Sequence, residues 1–465
     1  MLRTKNAGLL SLTAFGVLFL LLALSPLIRG GNRYVALMVL EWLSLLGLSL
    51  LAFSLLSVKG RALGSSQHSG PLRLVEWILI LSPLGAAFLF LTPVPGAIWF
   101  ALPGRDLYSH VLSSDGRPLS LTPDATVASL LASIPLVAAF MLARTAGVRQ
   151  IMLLPAALVM IGLLEAVWGL LQVGPFKELY FGAEFAGGLI GSFANANHFA
   201  NYLSMTLPLA IYLLWQLIPH RQRRDKPLGQ LRAIFWSLAL LLMVMAILAS
   251  GSRAGVVIGF LVATFTVVLL LSQVSRNMQR WCLMGSGVLL LVILAIAGMN
   301  TLLLRFDISR LDQDVSFRWM LAKSTWQAGL AFWPIGSGPG SYSAVYPLFQ
   351  APGLRGYAEH AHNDYVQLMM EGGAMFVLLA CLFLWMVVRQ AIVLWVAIER
   401  EEHDRSHLFL QLSCGLGLLA LLIHSWVDFN LHIPANVMLF ACLLGVLMRP
   451  VQAEPPAFQQ LRGHE

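Results

Sequence analysis

The chain has 465 residues, of which 58% are hydrophobic and only 11% are charged. Soluble domains are about one quarter charged, so this composition excludes an ordinary soluble protein and indicates a polytopic membrane protein. The formal net charge of +8 does not by itself indicate a nucleic-acid partner, because the cytoplasmic loops of membrane proteins collect Lys and Arg.

Apolar runs of helical length recur along the whole chain. They are roughly 20 residues long, enough for a helix to cross a hydrocarbon core of about 30 Å, and they lack the alternating pattern of a membrane β-barrel. We therefore predict an all-α polytopic membrane protein with about 12 transmembrane helices, near residues 8–28, 34–57, 75–97, 126–146, 150–172, 197–218, 233–250, 254–272, 282–303, 372–397, 409–427 and 435–449.

The positive charges predict which ends of these spans face the cytoplasm. Counting from Arg3 and Lys5, the connections that carry most of the Lys and Arg alternate, and the densest cluster is Arg221–Arg232. The positive-inside rule places these connections in the cytoplasm. The opposite side then receives the connections 98–125, 173–196, 251–255, 304–371 and 428–434, of which 304–371 is the only long one.

The first polar motif on this outer side is Gly187–Ala200, with the sequence GGLIGSFANANHFA. Asn and Ser favour helix N-caps, and Gly interrupts apolar runs, so one interpretation is a helix N-terminus at the membrane surface. The other interpretation is a polar edge at which Asn195, Asn197 and His198 hold sugar hydroxyls.

Arg253 lies in the short turn SGSRAG between two long apolar runs. An arginine in apolar surroundings is costly unless it is paired or hydrated. It either reaches the lipid headgroups or binds an anion at a helix N-terminus, where the helix dipole and the free N–H groups favour negative charge.

The interval 304–371 begins with a helical pattern. Asp314 is expected to cap a helix that reaches about Phe332. Arg318 and Lys323 on this helix would face lipid headgroups or a bound anion, because the pattern is that of an interfacial amphipathic helix.

A glycine-rich turn, PIGSGPG, follows this helix and contains Gly338 and Gly340. Such glycines allow positive φ and a close approach of the backbone to a ligand. The turn lacks the Lys-Ser/Thr of a nucleotide-binding loop, and a plain turn needs no ligand.

The segment Glu359–Gly373, EHAHNDYVQLMMEGG, is the richest in chemically active residues. His360 and His362 flank one alanine, and with Asp364 they resemble part of a metal site, but no further ligands are apparent and the nearby arginines would oppose a cation. The alternatives are paired structural histidines on a loop, or a general base or ligand for an acceptor hydroxyl, since histidine titrates near neutral pH. Across the last outer loop, further polar groups come from His424, Asp428 and His432.

Several of these motifs together resemble one family, the O-antigen ligase / O-antigen polymerase superfamily. The resemblance lies in GSFANANHFANYLSMTLPLA, SGSRAG, FRWMLAKSTWQAG followed by PIGSGPGSY, and HAHNDYVQLMMEGG, and it covers roughly residues 150–430. It implies a GT-C-like membrane fold with N-terminal transmembrane helices at 1–150, a catalytic membrane region at 151–430 that includes the periplasmic loop 304–371, and the last helix with a cytoplasmic tail at 431–465.

The resemblance also implies an activity, that of an inverting, metal-independent glycosyltransferase of the bacterial inner membrane, with no cofactor. Family members take an undecaprenyl-diphosphate-linked glycan at the periplasmic face and move it to a hydroxyl of an acceptor glycan, either a lipid core or a lipid-linked repeat unit. By match to the family's motifs, Arg253 and Arg318 would hold the diphosphate and His362 would meet the acceptor hydroxyl. His360 and Asn363 would support the site. The residue types suit this chemistry, because arginine forks bind phosphate oxygens.

Two alternatives stay open. A ligase and a polymerase of a surface polysaccharide differ only in their acceptor, and the motifs do not separate them. A secondary membrane transporter is the alternative from another class, because twelve spans also suit transporters. Against a transporter, the polar residues cluster in the outer loops rather than at the bilayer midplane, and the chain shows no internal repeat.

Overall fold

The computed structural model describes residues 2–58, 71–108, 115–172, 188–217, 227–271, 308–354, 356–400 and 405–451. The predicted span near 282–303 and most of the Arg221–Arg232 cluster lie outside these residues. Within them the protein is all-α apart from one pair of two-residue strands, as the apolar runs predict.

The α-helices are α1 (Leu2–Leu24), α2 (Tyr34–Val58), α3 (Leu74–Leu91), α4 (Gly96–Ala101), α5 (Pro123–Thr145), α6 (Val148–Leu171), α7 (Ala196–Trp215), α8 (Pro227–Ser250), α9 (Arg253–Leu271), α10 (Ile308–Ala331), α11 (Tyr342–Val345), α12 (Asp364–Glu399), α13 (Arg405–His424) and α14 (Pro434–Leu447). The strands β1 (Pro93–Val94) and β2 (Arg117–Pro118) pair in antiparallel fashion.

Eight helices in the described ranges are long and apolar enough to cross a membrane, namely α2, α3, α5, α6, α8, α9, α12 and α13. Two further apolar helical segments, Gly8–Leu24 within α1 and Pro434–Leu447, are shorter. Helices thus lie at eleven of the twelve predicted positions, and the fold class of an all-α polytopic membrane protein is confirmed.

Helix α7 forms where a span is predicted, near 197–218, but it does not belong to these eight helices. Its first turns carry Asn197, His198, Asn201 and Ser204, and all residues from 198 to 210 are buried. It packs against α6, α8, α9, α13 and α14. The polar side chains are therefore tolerated because α7 is enclosed by other helices and does not face lipid.

A single hydrophobic core joins the two ends of the described chain. It contains buried side chains from Ala14 in α1 to Met448 just after α14. Helix α5 packs against both α2 and α14, so the N-terminal helices and the last helix share this core.

Helix α10 begins at Ile308, six residues before Asp314. The prediction that Asp314 caps this helix is therefore wrong, because Asp314 lies inside it, whereas the expected end near Phe332 agrees with the observed end at Ala331. A small second core packs α10 against the segment before α12, with Leu321, Phe332, Tyr342, Tyr346, Ala361 and Met370 among its members.

Helix α12 begins at Asp364, so ten residues of EHAHNDYVQLMMEGG are helical and not part of a loop. The side chain of Asn363 caps this helix by accepting the N–H groups of Tyr365 and Val366, both at 3.1 Å. Gly373 has φ of 57° and ψ of −142°, a conformation open mainly to glycine. It divides a polar first part, residues 364–372, from the apolar remainder that corresponds to the predicted span 372–397.

Three arginines that the charge pattern places on the cytoplasmic side lie together at the end of the bundle away from the start of α12. Arg144 Nε contacts Glu76 Oε1 at 3.3 Å with both side chains buried. Arg73 NH2 donates to Gln390 Oε1 at 2.7 Å, and Arg449 NH1 donates to three carbonyls at the end of α5. These contacts fasten α3, α5, α12 and α14 to one another at this end.

Candidate active site

One carboxylate, that of Asp428, gathers polar side chains from three separate parts of the chain. Its Oδ2 accepts a hydrogen bond from Asn197 Nδ2 at 2.6 Å and lies 3.4 Å from Arg318 NH1. Its Oδ1 accepts the backbone N–H of Phe429 at 3.0 Å and lies 3.0 Å from His362 Nδ1. Asp428 is fully buried, and a buried charge is tolerated when it is paired and hydrogen-bonded in this way.

Burial raises the pKa of the Asp428 carboxyl, but contacts with His198 and His362 and the charge of Arg318 outweigh it, and the pKa lies well below its usual range. Asp428 is therefore ionised at neutral pH and can only accept. His362 must then carry a proton on Nδ1, which leaves the Nε2 lone pair of the neutral ring for another partner. This is the tautomer that a general base requires.

His362 adopts a backbone conformation that side-chain-bearing residues rarely take, with φ of 49°. Such a conformation persists only where the surroundings hold it, and it is common at functional sites. Here the bond to Asp428 and the start of α12 at the next residues hold it. The strain and the carboxylate partner distinguish His362 from a histidine on an ordinary loop.

Three histidines surround the ring of Phe429. Its centroid lies 4.6 Å from that of His198, 4.5 Å from that of His360 and 4.8 Å from that of His362. His198 is buried, with Nε2 at 3.7 Å from Asp428 Oδ1, which is beyond hydrogen-bond distance. The structure thus brings His198, His360 and His362, the three histidines predicted as site residues, together around Phe429, which the sequence analysis does not predict.

A second carboxylate–histidine pair, between Asp364 and His432, lies next to the first. His432 Nδ1 is 2.8 Å from Asp364 Oδ1, and Asp364 Oδ2 accepts the backbone N–H of Leu431 at 2.9 Å. Burial lowers the pKa of His432, but the hydrogen bond to Asp364 and its charge outweigh burial and raise it. The His432 ring lies 4.5 Å from that of His360. The sequence indicates only that His432 is a polar group near the surface.

Glu371 fastens the glycine-rich turn to α12. Its carboxylate accepts the backbone N–H groups of Gly340 at 3.0 Å and Tyr342 at 3.1 Å, and its carbonyl accepts that of Gly338 at 2.8 Å. Gly338 and Gly340 have positive φ, 113° and 74° respectively, as expected. Their close approach is to Ser120 and Ser129 of the protein, and their N–H groups are occupied by Glu371, so the amides do not point a free donor at a ligand.

Arg105, to which no sequence motif assigns a role, binds the same turn from the other side. Its NH2 group donates to the carbonyls of Leu119 and Gly336 at 2.7 and 2.8 Å, and its guanidinium lies 5.6 Å from the Phe332 ring. Burial lowers its pKa to about 10. The connection 98–125 is thereby tied to the turn that Glu371 holds.

Two further predicted site residues cap helices, and a third is exposed. Asn195 caps α7, since its side chain accepts the N–H of Asn197 at 2.8 Å, and Asn363 caps α12 and donates to the Trp426 carbonyl at 3.0 Å. Lys323 is exposed. It stands five residues from Arg318, which is about 140° around a helix, so the two cations do not share one face.

Arg253 is the first residue of α9 and is half-buried. Two residues later, the carbonyl of Gly255 accepts the hydroxyl of Ser204 in α7 at 3.3 Å. The start of α9 therefore packs against the first turns of α7, near Asn197, and Arg253 lies at the same end of the bundle as Asp428.

An apolar cavity of about 700 Å³ lies between α3, α5, α12 and α14. Gly340, Glu371 and His432 line one end of this groove, and Glu76 lines the opposite end. On α5 the lining extends from Thr126 to Phe140, about 21 Å along a helix. The groove is longer than one leaflet of a hydrocarbon core of about 30 Å, and its end at His432 is next to the histidines around Phe429.

A metal would need several ligands in one place. Among the residues that the structure describes, no group of three or more His, Cys, Asp and Glu side chains is arranged to hold a metal ion. His362 contacts Asp428, Asp364 contacts His432, and His360 contacts Gln367, so the three residues of the possible His-x-His site have three different partners.

Fold and site together define a multi-pass, all-α membrane protein with a histidine–carboxylate–arginine cluster at one end of its helix bundle. A sequence model described as O-Antigen ligase matches residues 238–383, and this match supports the O-antigen ligase/polymerase superfamily. No curated protein sequence matches the chain. The family supports a glycan-transferring, O-antigen ligase- or polymerase-type function. The matched segment includes Arg318 and His362, whereas Asn197 and Asp428, which bind one another, lie outside it.

Proposed function

We propose that the protein is an inverting glycosyltransferase that moves an undecaprenyl-diphosphate-linked oligo- or polysaccharide to an acceptor hydroxyl at the periplasmic face of the bacterial inner membrane. The observation that carries the proposal is the contact of both His362 and Arg318 with the buried carboxylate of Asp428. A base for the acceptor and a cation for the leaving diphosphate are thereby held together.

The reaction needs a proton acceptor on one side of the sugar and positive charge on the other. The acceptor oxygen bonds to the anomeric carbon and its proton passes to His362 Nε2, while Asp428 stabilises the imidazolium that forms. The bond to the diphosphate breaks, and its electron pair leaves with the diphosphate. The contacts of Arg318 to Val427 and Asp428 use NH1, so NH2 and Nε remain for phosphate oxygens, with Arg253 as the second fork.

The length of the groove between α3, α5, α12 and α14 supports the proposal that the glycan donor is carried on a polyprenyl chain. A phospholipid acyl chain reaches the bilayer midplane, about half of a 30 Å core, whereas the groove extends for about 21 Å along α5 alone. A carrier in the groove would have its diphosphate at the outer end, beside His432 and the histidines around Phe429.

The direct test is transfer by purified protein in liposomes, with an undecaprenyl-diphosphate-linked oligosaccharide as donor and either a lipid core or a second lipid-linked unit as acceptor. We expect a glycosylated acceptor of inverted configuration with wild type and none with His362→Ala. Solute uptake without transfer would instead support the transporter. The acceptor that is used distinguishes a ligase from a polymerase.

A second test concerns the groove. Ala87 lines it, so Ala87→Trp should raise KM for an undecaprenyl donor more than for a donor on a short polyprenyl chain. Leu84 is on the same helix, 59% exposed and not part of the lining, so Leu84→Trp is the matched control. If both variants change KM equally for both donors, the groove does not bind the polyprenyl carrier.

A further inference from the structure

The orientation of one buried amide, that of Gln367, determines how two histidines of the site share their protons. Gln367 is 2% exposed and lies in the first turn of α12. Its Oε1 accepts the backbone N–H of Ala361 at 3.0 Å. A backbone N–H can only donate, so this contact fixes which end of the amide is oxygen and which is nitrogen.

The nitrogen end of Gln367 then faces three acceptors. Nε2 lies 3.0 Å from His432 Nε2, 3.3 Å from His360 Nδ1 and 3.3 Å from Glu371 Oε1. The amide has two hydrogens for these three atoms, so one is shared. In the neutral ring of His432, Nδ1–H donates to Asp364 Oδ1, so Nε2 is an acceptor for the amide.

The consequence for His360 is a defined tautomer. Its Nδ1 accepts from Gln367, so the neutral ring carries its proton on Nε2, at the edge away from the amide. Burial, together with His432, His362 and His198 nearby, lowers the pKa of His360 to about 2, so the ring stays neutral. His362 has the opposite pattern, with its proton on Nδ1 toward Asp428 and a lone pair on Nε2.

We propose that Gln367 is a positioning residue that makes His360 a neutral N–H donor beside the proton acceptor His362, and that His360 Nε2–H donates to an oxygen of the donor diphosphate as its negative charge grows. Both rings lie against Phe429, with centroid distances of 4.5 and 4.8 Å. The role of His360 rests on the proposed transfer reaction, whereas the tautomer does not.

A neutral donor has a chemical advantage at this position. A second cation so close to the imidazolium that forms on His362 would oppose proton transfer from the acceptor. An uncharged N–H still stabilises charge that develops only in the transition state, and loss of one such donor typically costs about 10²–10³-fold in kcat.

The tautomer can be measured without turnover. In protein labelled with ¹⁵N-histidine, the protonated and unprotonated ring nitrogens give well-separated signals, and His360→Phe identifies the signals of His360. We expect wild type to show the proton on Nε2. Gln367→Glu, at a pH where the new carboxylate is ionised, should move it to Nδ1, and Gln367→Met should give a mixture. A proton on Nδ1 in wild type, or no change in Gln367→Glu, overturns the proposal.

The kinetics of transfer test whether His360 acts in the reaction. We expect Gln367→Glu to lose about 10²–10³-fold in kcat with little change in KM for the acceptor and with an altered pH–rate profile. Gln390 is the matched control, a buried glutamine of the same helix bonded to Arg73 and Arg449 at the other end. Gln390→Met should lower thermal stability and leave the His360 signals unchanged.

The two readouts separate the possible failures. The expected tautomer shift with no transfer by wild type refutes the proposed function and leaves the assignment of Gln367 standing. Transfer by wild type with an unaltered kcat in Gln367→Glu, despite the shifted tautomer, removes His360 from the reaction.

Discussion

Replacing Asp428 by Asn tests the central pair of the site while preserving the shape of the side chain. The backbone N–H of Phe429 at 3.0 Å requires an oxygen at the Oδ1 position, so the new amide nitrogen takes the Oδ2 position. His362 therefore keeps a neutral acceptor at Nδ1. Arg318 and the amide of Asn197 then face a donor where they had a carboxylate.

The expected loss can be estimated from the geometry. A full charge at 3.0 Å from the imidazolium is worth about 5 kcal/mol at an effective dielectric constant of about 20. The His362 side chain is 25% exposed, and screening lowers this to about 3–4 kcal/mol. Since about 1.36 kcal/mol is tenfold in rate, Asp428→Asn should lower kcat about 10²–10³-fold.

Stability should also fall, by about 1–3 kcal/mol, because a hydrogen-bond acceptor for charged and polar groups is lost in a buried position. The folded-state pKa of Asp428 is depressed, so its contribution is fully present above the unfolded value of about 3.9 and is lost as the pH falls through the folded value. The stability difference between wild type and Asp428→Asn should be constant above about pH 5 and shrink below about pH 4.

The assay is initial transfer rate per folded molecule, with the unfolding free energy measured on the same preparations. Gln390→Met is the control, because Gln390 is a buried polar side chain that accepts a hydrogen bond from Arg73 at 2.7 Å, at the other end of the bundle and outside the groove lining. It should destabilise the protein while transfer per folded molecule stays within a few fold. The reasoning is refuted by wild-type turnover in folded Asp428→Asn, or by an equal kinetic loss in Gln390→Met.

Three further predictions follow from the site and the charge pattern. Arg253→Ala or Arg318→Ala should abolish transfer in a folded, inserted protein, with partial rescue by Lys because a point charge does not reproduce the fork; wild-type turnover would remove that arginine from the diphosphate. His362→Ala should lose about 10²–10⁴-fold in rate with near-normal donor binding, and EDTA should have no effect; loss in chelator with recovery on adding a divalent ion would require a metal mechanism. Impermeant thiol reagents in intact cells should label cysteines introduced in 304–371 and spare those in Arg221–Arg232, and the reverse pattern would invert the topology.

Much of the architecture follows from local pattern. Long apolar runs with few charges predict membrane helices because each helix satisfies its own backbone groups, whatever its neighbours are. The helices of the structure accordingly lie where the runs are. The same local logic identifies Arg253 and the pair His360 and His362, since polar residues at the ends of apolar runs are few and conspicuous.

Local pattern does not reveal which polar groups meet. Asp428 is 66 residues from His362 and 231 residues from Asn197, and its own surroundings in the sequence are those of a short loop between two spans. The sequence signal for Asp428 is the DFNLH stretch at 428–432, which is a cluster of polar groups next to apolar runs. Its central role depends on how α7, α10, α12 and α13 pack.

Capping and burial were likewise decided by tertiary structure. Helix α12 extends to Asp364 because Asn363 caps it and Asp364 is held by His432, whereas the hydropathy of the sequence rises only several residues later. Gln367 reads as an ordinary polar residue, yet the fold buries it where one backbone N–H sets its orientation. Sequence periodicity reports which segments are apolar, so it determined the helices; the pairing of buried charges depends on distances between helices, which only the folded chain defines.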